Sequence, residues 1–523
     1  MAHRIARFTT LATTCAEALA MGVCVAAVGW GMHLIPRGAP VTTRPPMSAA
    51  GPMGSMVMAR PVPARKAAMP TISVASLTGP GAAARVRTFT LTARPARLRL
   101  GPGVVVDAWT YNGTSPGPTL RVRQGDLVVV HLVNRLPVPT TIHWHGVTVP
   151  GGEDGVAGIT QDAVAPGHTY TYRFVVRDAG TYWYHAHQDS LTQVPRGLYG
   201  ALVVTPAAPV PPQSMRDDVD ATVVLHTWQI RGKDTLAANG TTGLLRIPAR
   251  PGAWVRLRLI NTDVDMRLVT LVGAPFTVAA LDGHDLHGSQ PLAATLLPIA
   301  AGGRYDLRFR LPARGAAGLL LAGDRRDGLL RVMPAVAIIG TGYFLPAHAA
   351  PTHAHGLFDF TAYGAPARGA VTLRTHADAS YTLRLGNLSQ HFFSAVAHLD
   401  PVYTINGKAA PDTAPIMVRR GQLVRLHIVN ESDYVHPMHL HGHTLVVLAR
   451  DGRPLRGSPV TLDTLDVLPG ESYDVAFRAD NLGIWMLHCH NLYHARYGMS
   501  MMIMYEGVTT PFRAGGRAGN VSD

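Results

Sequence analysis

The sequence predicts an all-β protein made of three homologous β-sandwich domains, and three observations carry that prediction. Glycine (53) and proline (40) are plentiful among the 523 residues, while charged residues make up only 15 %, a balance that suits short strands and turns better than long helices. A small set of residues recurs three times at fixed offsets. The recurring segments are rich in β-branched residues that alternate with polar ones, the period of a half-buried strand. A chain this long also exceeds what one hydrophobic core organises.

The first repeated element is an Asn-Gly pair, at Asn112-Gly113, Asn239-Gly240 and Asn406-Gly407. Its glycine is followed after 12, 12 and 14 residues by Gly125, Gly252 and Gly421, and each of these opens an apolar segment ending in asparagine nine residues later: GDLVVVHLVN, GAWVRLRLIN and GQLVRLHIVN. A second element returns at PGHTYTYRF, GGRYDLRF and PGESYDVAF, where Gly167, Gly302 and Gly470 stand seven residues before Phe174, Phe309 and Phe477. Tyr170, Tyr305 and Tyr473 keep one offset from that phenylalanine, and Gly180, Gly315 and Gly483 follow it by six. Domains are therefore expected at about 86–206, 207–345 and 355–507, with 508–523 as a disordered tail.

The N-terminus carries Arg4 and Arg7, and residues 18–36 then contain no Asp, Glu, Lys or Arg. Residues 1–36 read as an export signal or a single-pass membrane anchor, and no adjacent arginine pair marks a twin-arginine signal. A periplasmic, cell-surface or extracellular location follows as an expectation. Residues 37–85, rich in Pro, Ala and Gly and containing Met47, Met53, Met56, Met58 and Met69, read as a flexible linker. The formal charge of +14 is spread along strand-like segments, as at Arg94, Arg97, Arg99 and Arg256, Arg258. Solvated strand faces explain that pattern, and no nucleic-acid partner is expected.

Cys15 and Cys24 lie in the leader, which leaves Cys489 as the one cysteine of the body and rules out a disulfide framework there. Cys489 sits between His488 and His490, and three further histidine clusters accompany it: His143-Trp-His145, His185-Ala-His187 and His436-Pro-Met-His439-Leu-His441. The clusters occupy matching places in the first and third repeats, where the middle one has DVDMRLVTL and LLLAG. The middle domain is therefore expected to bind no metal there. In a strand, both histidines of a His-X-His triplet point the same way with Cα atoms roughly 6.5 to 7 Å apart. The same alternation puts the Cys489 thiolate on one face and the imidazoles of His488 and His490 on the other. Cys489, His494 and His436 make a two-imidazole, one-thiolate set, with Met499 five residues beyond His494. That is the donor set of a one-electron blue-copper site with a weak axial thioether; zinc prefers closed four-coordinate sites.

The segments HWHG, YHAH, HPMHLH and HCHNLYHARYGM resemble the four copper signatures of the multicopper oxidase family, across about four-fifths of the chain. The resemblance implies three cupredoxin-like Greek-key domains and four copper ions, one type 1, one type 2 and two type 3. It implies that His436, Cys489, His494 and Met499 hold the type 1 copper, that His143 and His439 hold type 2, and that His145, His185, His187, His441, His488 and His490 hold the type 3 pair. It further implies one-electron oxidation of a reducing substrate, a phenol or a metal ion such as Cu(I), coupled to four-electron reduction of dioxygen to water. Asp154, in GGEDG, matches a cluster-side acid of similar bacterial oxidases and is expected to relay protons, with the adjacent Glu153 as the alternate. Ala495 departs from those members, which place a glutamate directly after the second type 1 histidine. Met499 matches bacterial members and implies a modest potential, hence easily oxidised donors.

Two other functions fit parts of the pattern. A copper-sequestering protein would keep the fold without turnover, but members serving as scaffolds tend to lack ligands that are complete here. A copper nitrite reductase shares the blue site but is built from two-domain subunits without the full trinuclear set.

Overall fold

The computed structural model describes residues 71–83, 85–208, 217–293, 295–313, 316–326, 329–340, 356–367, 370–387 and 401–522. Of these, the residues from 71 to 230 and from 234 to 522 belong to one compact unit. The expected export or anchor segment and most of the Met-rich linker lie outside the described residues. Among the described residues, no helix is long and apolar enough to cross a membrane.

Strands dominate, and the threefold repeat becomes three pairs of sheets. In the first, Val86–Gly101 runs parallel to Leu127–Asn134, which pairs antiparallel with Thr169–Val175. Strand Val219–Ile230 lies parallel to Trp254–Asn261, and that pairs antiparallel with Arg304–Arg310. Ala379–Asn387, Leu423–Asn430 and Ser472–Arg478 repeat the arrangement. Each of the three apolar repeat segments therefore sits centrally in a sheet, between a parallel and an antiparallel neighbour.

The repeated polar residues have identifiable duties. Asn112, Asn239 and Asn406 adopt positive φ (57°, 49° and 54°) ahead of glycines that do the same, the backbone that an Asn-Gly turn requires. Their side-chain oxygens accept from the amides of Thr92, Val224 and Arg384 on the adjoining strand. The closing asparagines of the apolar segments are buried staples. Asn134 Nδ2 donates to Val138 O and Val164 O, Asn261 Nδ2 to Asp265 O and Ile299 O, and Asn430 Nδ2 to Tyr434 O and Val467 O. In the first and third copies the loop so pinned leads into the strands that carry the histidine clusters.

A second sheet faces each of these. In the first copy it orders Gly117–Arg123, Tyr199–Thr205, Gly180–His185 and His143–His145, and in the third Ile416–Val418, Ser500–Tyr505, Ile484–Cys489, His436–Leu440 and Thr464–Val467. All four histidine clusters thus lie in or at the ends of these two facing sheets.

Two expectations about the ends are corrected. Residues 508–523 were expected as a disordered tail, but Val508–Thr509 pairs in parallel with Ile72–Ser73, and Thr510 Oγ1 donates to Ile159 O at 2.6 Å. Asn520, only 2 % exposed, accepts from Ala163 N and donates to Asp162. The tail is held because its asparagine satisfies the amide of buried Ala163, which would otherwise be unpaired. The linker expected to run to residue 85 likewise docks before its end. Val74 is fully buried, and Leu77 O accepts from Gly152 N at 2.7 Å.

Candidate metal centres

The two facing sheets place the histidines by simple strand alternation. His143–His145 pairs antiparallel with Gly180–His185, setting His143 opposite His185 and Trp144 opposite Tyr184. His436–Leu440 pairs antiparallel with Ile484–Cys489, setting His439 opposite His488 and Met438 opposite Cys489. Side chains on opposite faces of strand Ile484–Cys489 therefore serve two separate groups of donors.

The first group is His436, Cys489 and His494. Cys489 Sγ lies 3.7 Å from His436 Nδ1 and 3.5 Å from His494 Nδ1, and the two nitrogens are 3.1 Å apart. His494 is carried by the short helix Leu492–Arg496, whose N-cap Asn491 accepts from the amides of Tyr493 and His494. His436 is oriented by Ser432, whose Oγ sits 2.7 Å from Nε2. Met499 is fully buried, and its backbone bonds both partners: its carbonyl accepts from Cys489 N and its amide donates to His494 O. Burial pushes the Cys489 thiol well above its ordinary value, so a thiolate here needs a cation beside it.

The second group joins the first and third sheet pairs. His143 Nε2 and His439 Nε2 face each other at 3.4 Å, and His441 Nε2 and His488 Nε2 at 3.0 Å. Each of these four rings already spends its other nitrogen on an oxygen: His143 Nδ1 on Asp154 O, His439 Nδ1 on Asp463 O, His441 Nδ1 on Asp154 Oδ2 and His488 Nδ1 on Cys489 O. In neutral imidazole the remaining nitrogen carries a lone pair, so lone pair faces lone pair in both contacts. Burial lowers His439 and His441, and takes His488 down to about 3; a proton between the rings is therefore disfavoured and a metal cation is what fits.

The other rings close the group. His187 joins His441 and His488 in one set of mutually close donors, and His145 joins His143 and His185 in another. The His145 and His490 ring centres are 4.8 Å apart, and those of His185 and His490 are 5.5 Å apart. His145 Nδ1, His185 Nε2 and His490 Nε2 are buried without a hydrogen-bonding partner. Buried polar atoms are rarely left so, and coordination to a metal would give them partners. Gly302, from the middle sheet pair, closes over the group with φ +82°; a Cβ there would come within 2.9 Å of His145 Cε1 and 3.0 Å of the His490 ring. Among the described residues, every set of close donors draws its histidines from the first and third copies.

Two carboxylates hold the rings. Asp154 is fully buried; besides the 2.9 Å contact of Oδ2 to His441, its Oδ1 lies 3.1 Å from His143 Nδ1, whose proton goes instead to the backbone carbonyl. That leaves Oδ1 without a donor. Glu153, the alternate, points elsewhere and accepts from the amides of Gly79 and Arg173. Asp463 was not anticipated. Its Oδ1 lies 3.1 Å from His145 Nε2, while Arg304, also fully buried, reaches it from the middle sheet pair. Burial alone would raise the Asp463 acid, but the Arg304 charge and the hydrogen bonds from His145, His439 and Arg304 together outweigh it and hold it well below the usual carboxylate range. Asp282 completes the cluster by accepting from the amides of Asp463 and Thr464.

Such carboxylate–histidine contacts are the usual outer support of metal ligands, fixing tautomer and ring direction. Comparison with known proteins agrees. Family models described as multicopper oxidase match residues 95–209 and 373–507. The multicopper oxidase MmcO of Mycobacterium tuberculosis is 32 % identical over 474 residues, 80 % of this chain and 87 % of its own.

The chain belongs to the multicopper oxidase family.

Members of this family are copper-dependent oxidoreductases that take electrons from a reducing substrate, such as a metal ion or a phenol, and pass them to oxygen. A copper resistance protein A homolog of Pseudomonas syringae pv. tomato is 26 % identical, covering 76 % of this chain and 89 % of its own. The crystal structure of a multi-copper oxidase from Pseudomonas thermotolerans superposes with a TM-score of 0.64 at 28 % identity, covering 80 % of this chain and 99 % of that one. The sheet pairs are accordingly cupredoxin-like domains, and the cofactor is copper.

Asp463, Arg304 and Asp282 escaped the sequence reading because nothing local marks them. Asp463 falls in TLDTLDVLPG and Arg304 in GGRYDLRF, segments that read as ordinary half-exposed strands. Only the tertiary contact between copies turns them inward.

Proposed function

We propose that this multicopper oxidase binds one type 1 copper at His436, Cys489, His494 and Met499, one type 2 copper at His143 and His439, and a type 3 pair at His145, His185, His187, His441, His488 and His490. The observation that carries the reading is the triplet His488-Cys489-His490, whose thiol faces one donor group while its imidazoles face the other. Bound copper supplies the one-electron steps and the oxygen chemistry. The Cys489 sulfur and the adjoining backbone give the short covalent route between the groups, and burial keeps bulk water from the ligands.

Asp154 is the proton relay in this reading. Its unpaired oxygen, within reach of His143, can hold a proton and pass it inward without moving the ligands. The absence of an acid at Ala495 leaves Asp154 with more of that task.

The donor is a small phenol. Supporting this, the Tyr434 ring, 42 % exposed, lies 5.6 Å from that of His494 and 5.7 Å from the buried Tyr403 ring, an exposed aromatic side chain suited to stacking a flat ring. Cu(I) is the second reading, favoured by the name of the copper resistance relative. Thioether sulfur is a soft ligand for Cu(I), but of Met501, Met502 and Met504 in strand Ser500–Tyr505 the first is buried and the others are half-buried, as strand packing alone would have it. The protein is exported, a reading that rests on the uncharged stretch 18–36 behind Arg4 and Arg7. Oxygen uptake by copper-loaded protein against phenols, Fe(II) and Cu(I) tests the donor. Phenols should give the highest kcat/KM; a strong preference for Cu(I) would replace them.

A further inference from the structure

The first and third domains share one repeat, so corresponding core positions can be compared directly. Tyr111, Trp144, Tyr172 and Tyr184 of the first domain correspond to Ile405, Leu440, Val475 and Leu487 of the third, by their places beside the Asn-Gly turn, within and before the His-X-His triplets, and before the repeated phenylalanine. All eight are at most 2 % exposed. Burial alone is therefore met by aliphatic side chains at these places, and the first domain instead uses four side chains that can be oxidised by one electron.

These rings form a connected path. Trp144 lies between the ligands His143 and His145 in sequence, with its ring turned to the opposite face of the strand. Its centroid is 6.0 Å from Tyr184 and 5.3 Å from Tyr172, and Tyr172 is 4.7 Å from Tyr170. Tyr111 branches off Tyr184 at 5.4 Å. Trp144 Nε1 is buried without a partner, which is costly for an indole kept only for packing. Tyr170 is half-buried and lines a surface pocket of about 360 Å³ together with His168, Thr160, Ala75 and Phe512. In the third domain the counterpart Tyr473 is cut off from the histidines by Val475 and Leu440.

We propose that Trp144, Tyr172 and Tyr170 conduct single oxidising equivalents from the histidine-lined cluster to this pocket, where a small phenol- or ascorbate-type reductant discharges them. The inference rests on the copper assignment above. For each equivalent, one electron moves inward from Tyr170 through Tyr172 and Trp144. Tyr170 releases its phenolic proton to the water of the pocket that it lines. The reductant then returns one electron and one proton to Tyr170 and leaves as its own radical. The path protects the ligands when oxygen arrives and the usual donor is scarce.

The test uses copper-loaded full-length protein, partly reduced and then re-exposed to oxygen without donor. A freeze-quenched sample should show a tryptophan or tyrosine radical, assigned with ring-deuterated tyrosine, that is lost in Trp144→Phe and Tyr172→Phe. A labelled phenol should form an adduct on Tyr170 in the parent protein only. At saturating donor the initial rates of Tyr172→Phe and Tyr170→Phe should match the parent, while turnovers before inactivation at limiting donor fall several-fold. Tyr473→Phe should change neither. Tyr170→Phe, at the pocket wall, covers the case in which the core variants misfold. Copper-replete protein that consumes oxygen normally yet shows no such radical, or lifetimes equal in all variants, overturns the relay and leaves the copper assignment standing. A chain that binds no copper overturns both.

Discussion

Arg304 and Asp463 form a buried, two-pronged ion pair: Nη1 to Oδ1 and Nη2 to Oδ2 are both 2.6 Å, and neither side chain is exposed. The pair joins the middle domain to the third, and the same carboxylate reaches His145 of the first at 3.1 Å. One carboxylate therefore touches all three domains at the edge of the histidine cluster, which gives the middle domain a task in holding the rings.

Removing one member of a buried pair leaves an uncompensated charge and costs about 3–5 kcal/mol. Arg304→Met is expected to lose roughly that much stability in urea unfolding. Arg304→Lys should recover only part of it, because a single ammonium cannot span both oxygens. Unchanged midpoints in both variants would remove the pair from the account.

Gly302 is held at φ +82° against the His145 and His490 rings. Gly302→Ala introduces both left-handed strain, about 1–2 kcal/mol, and a methyl within contact of the His145 and His490 rings. Copper content per chain should fall below that of the parent after identical loading. Full copper occupancy with an unaltered spectrum would show that the close approach is incidental.

Asp154→Asn keeps the size of the side chain but not its basicity. It is expected to lower kcat by about 10²-fold, the scale of a lost acid–base group, and to flatten the pH profile. Copper content is measured beside it, since the carboxylate also orients His441. Normal turnover and pH dependence would make the relay role wrong.

Asp466 has one oxygen buried without a partner, and burial, with the charges of Asp282 and Glu471, pushes its acid up to about 7. The folded state therefore holds this proton more tightly than the unfolded chain. The protein should lose stability from this group as pH rises from about 4 to 7, by at most ~4 kcal/mol. Asp466→Asn should gain relative to the parent at pH 8 and match it near pH 4. Denaturant midpoints at the two pH values check this, and a pH-independent difference would contradict it.

The legible part of this protein was whatever repeats or alternates. Asn-Gly turns, closing asparagines and His-X-His triplets act locally, through φ preference and strand period, so their spacing displays their use. Asp154 was found beside the alternate Glu153, and hydrogen bonds separate the two: Glu153 caps backbone amides while Asp154 meets ligand rings. Arg304, Asp282 and Asp463 were hidden because their meaning lies in contacts across more than 150 residues. The end of the chain was misread because low hydrophobicity signals no core, whereas Asn520 is held by hydrogen bonds.

The most direct test of the central claim is copper stoichiometry read together with the visible spectrum of the parent and of Cys489→Ser. The account predicts four copper ions per chain, one type 1, one type 2 and two type 3, with an intense thiolate charge-transfer band. It predicts that the serine variant loses that band and one copper while keeping the other three. One copper per chain in the parent, or a band that survives in Cys489→Ser, would contradict it.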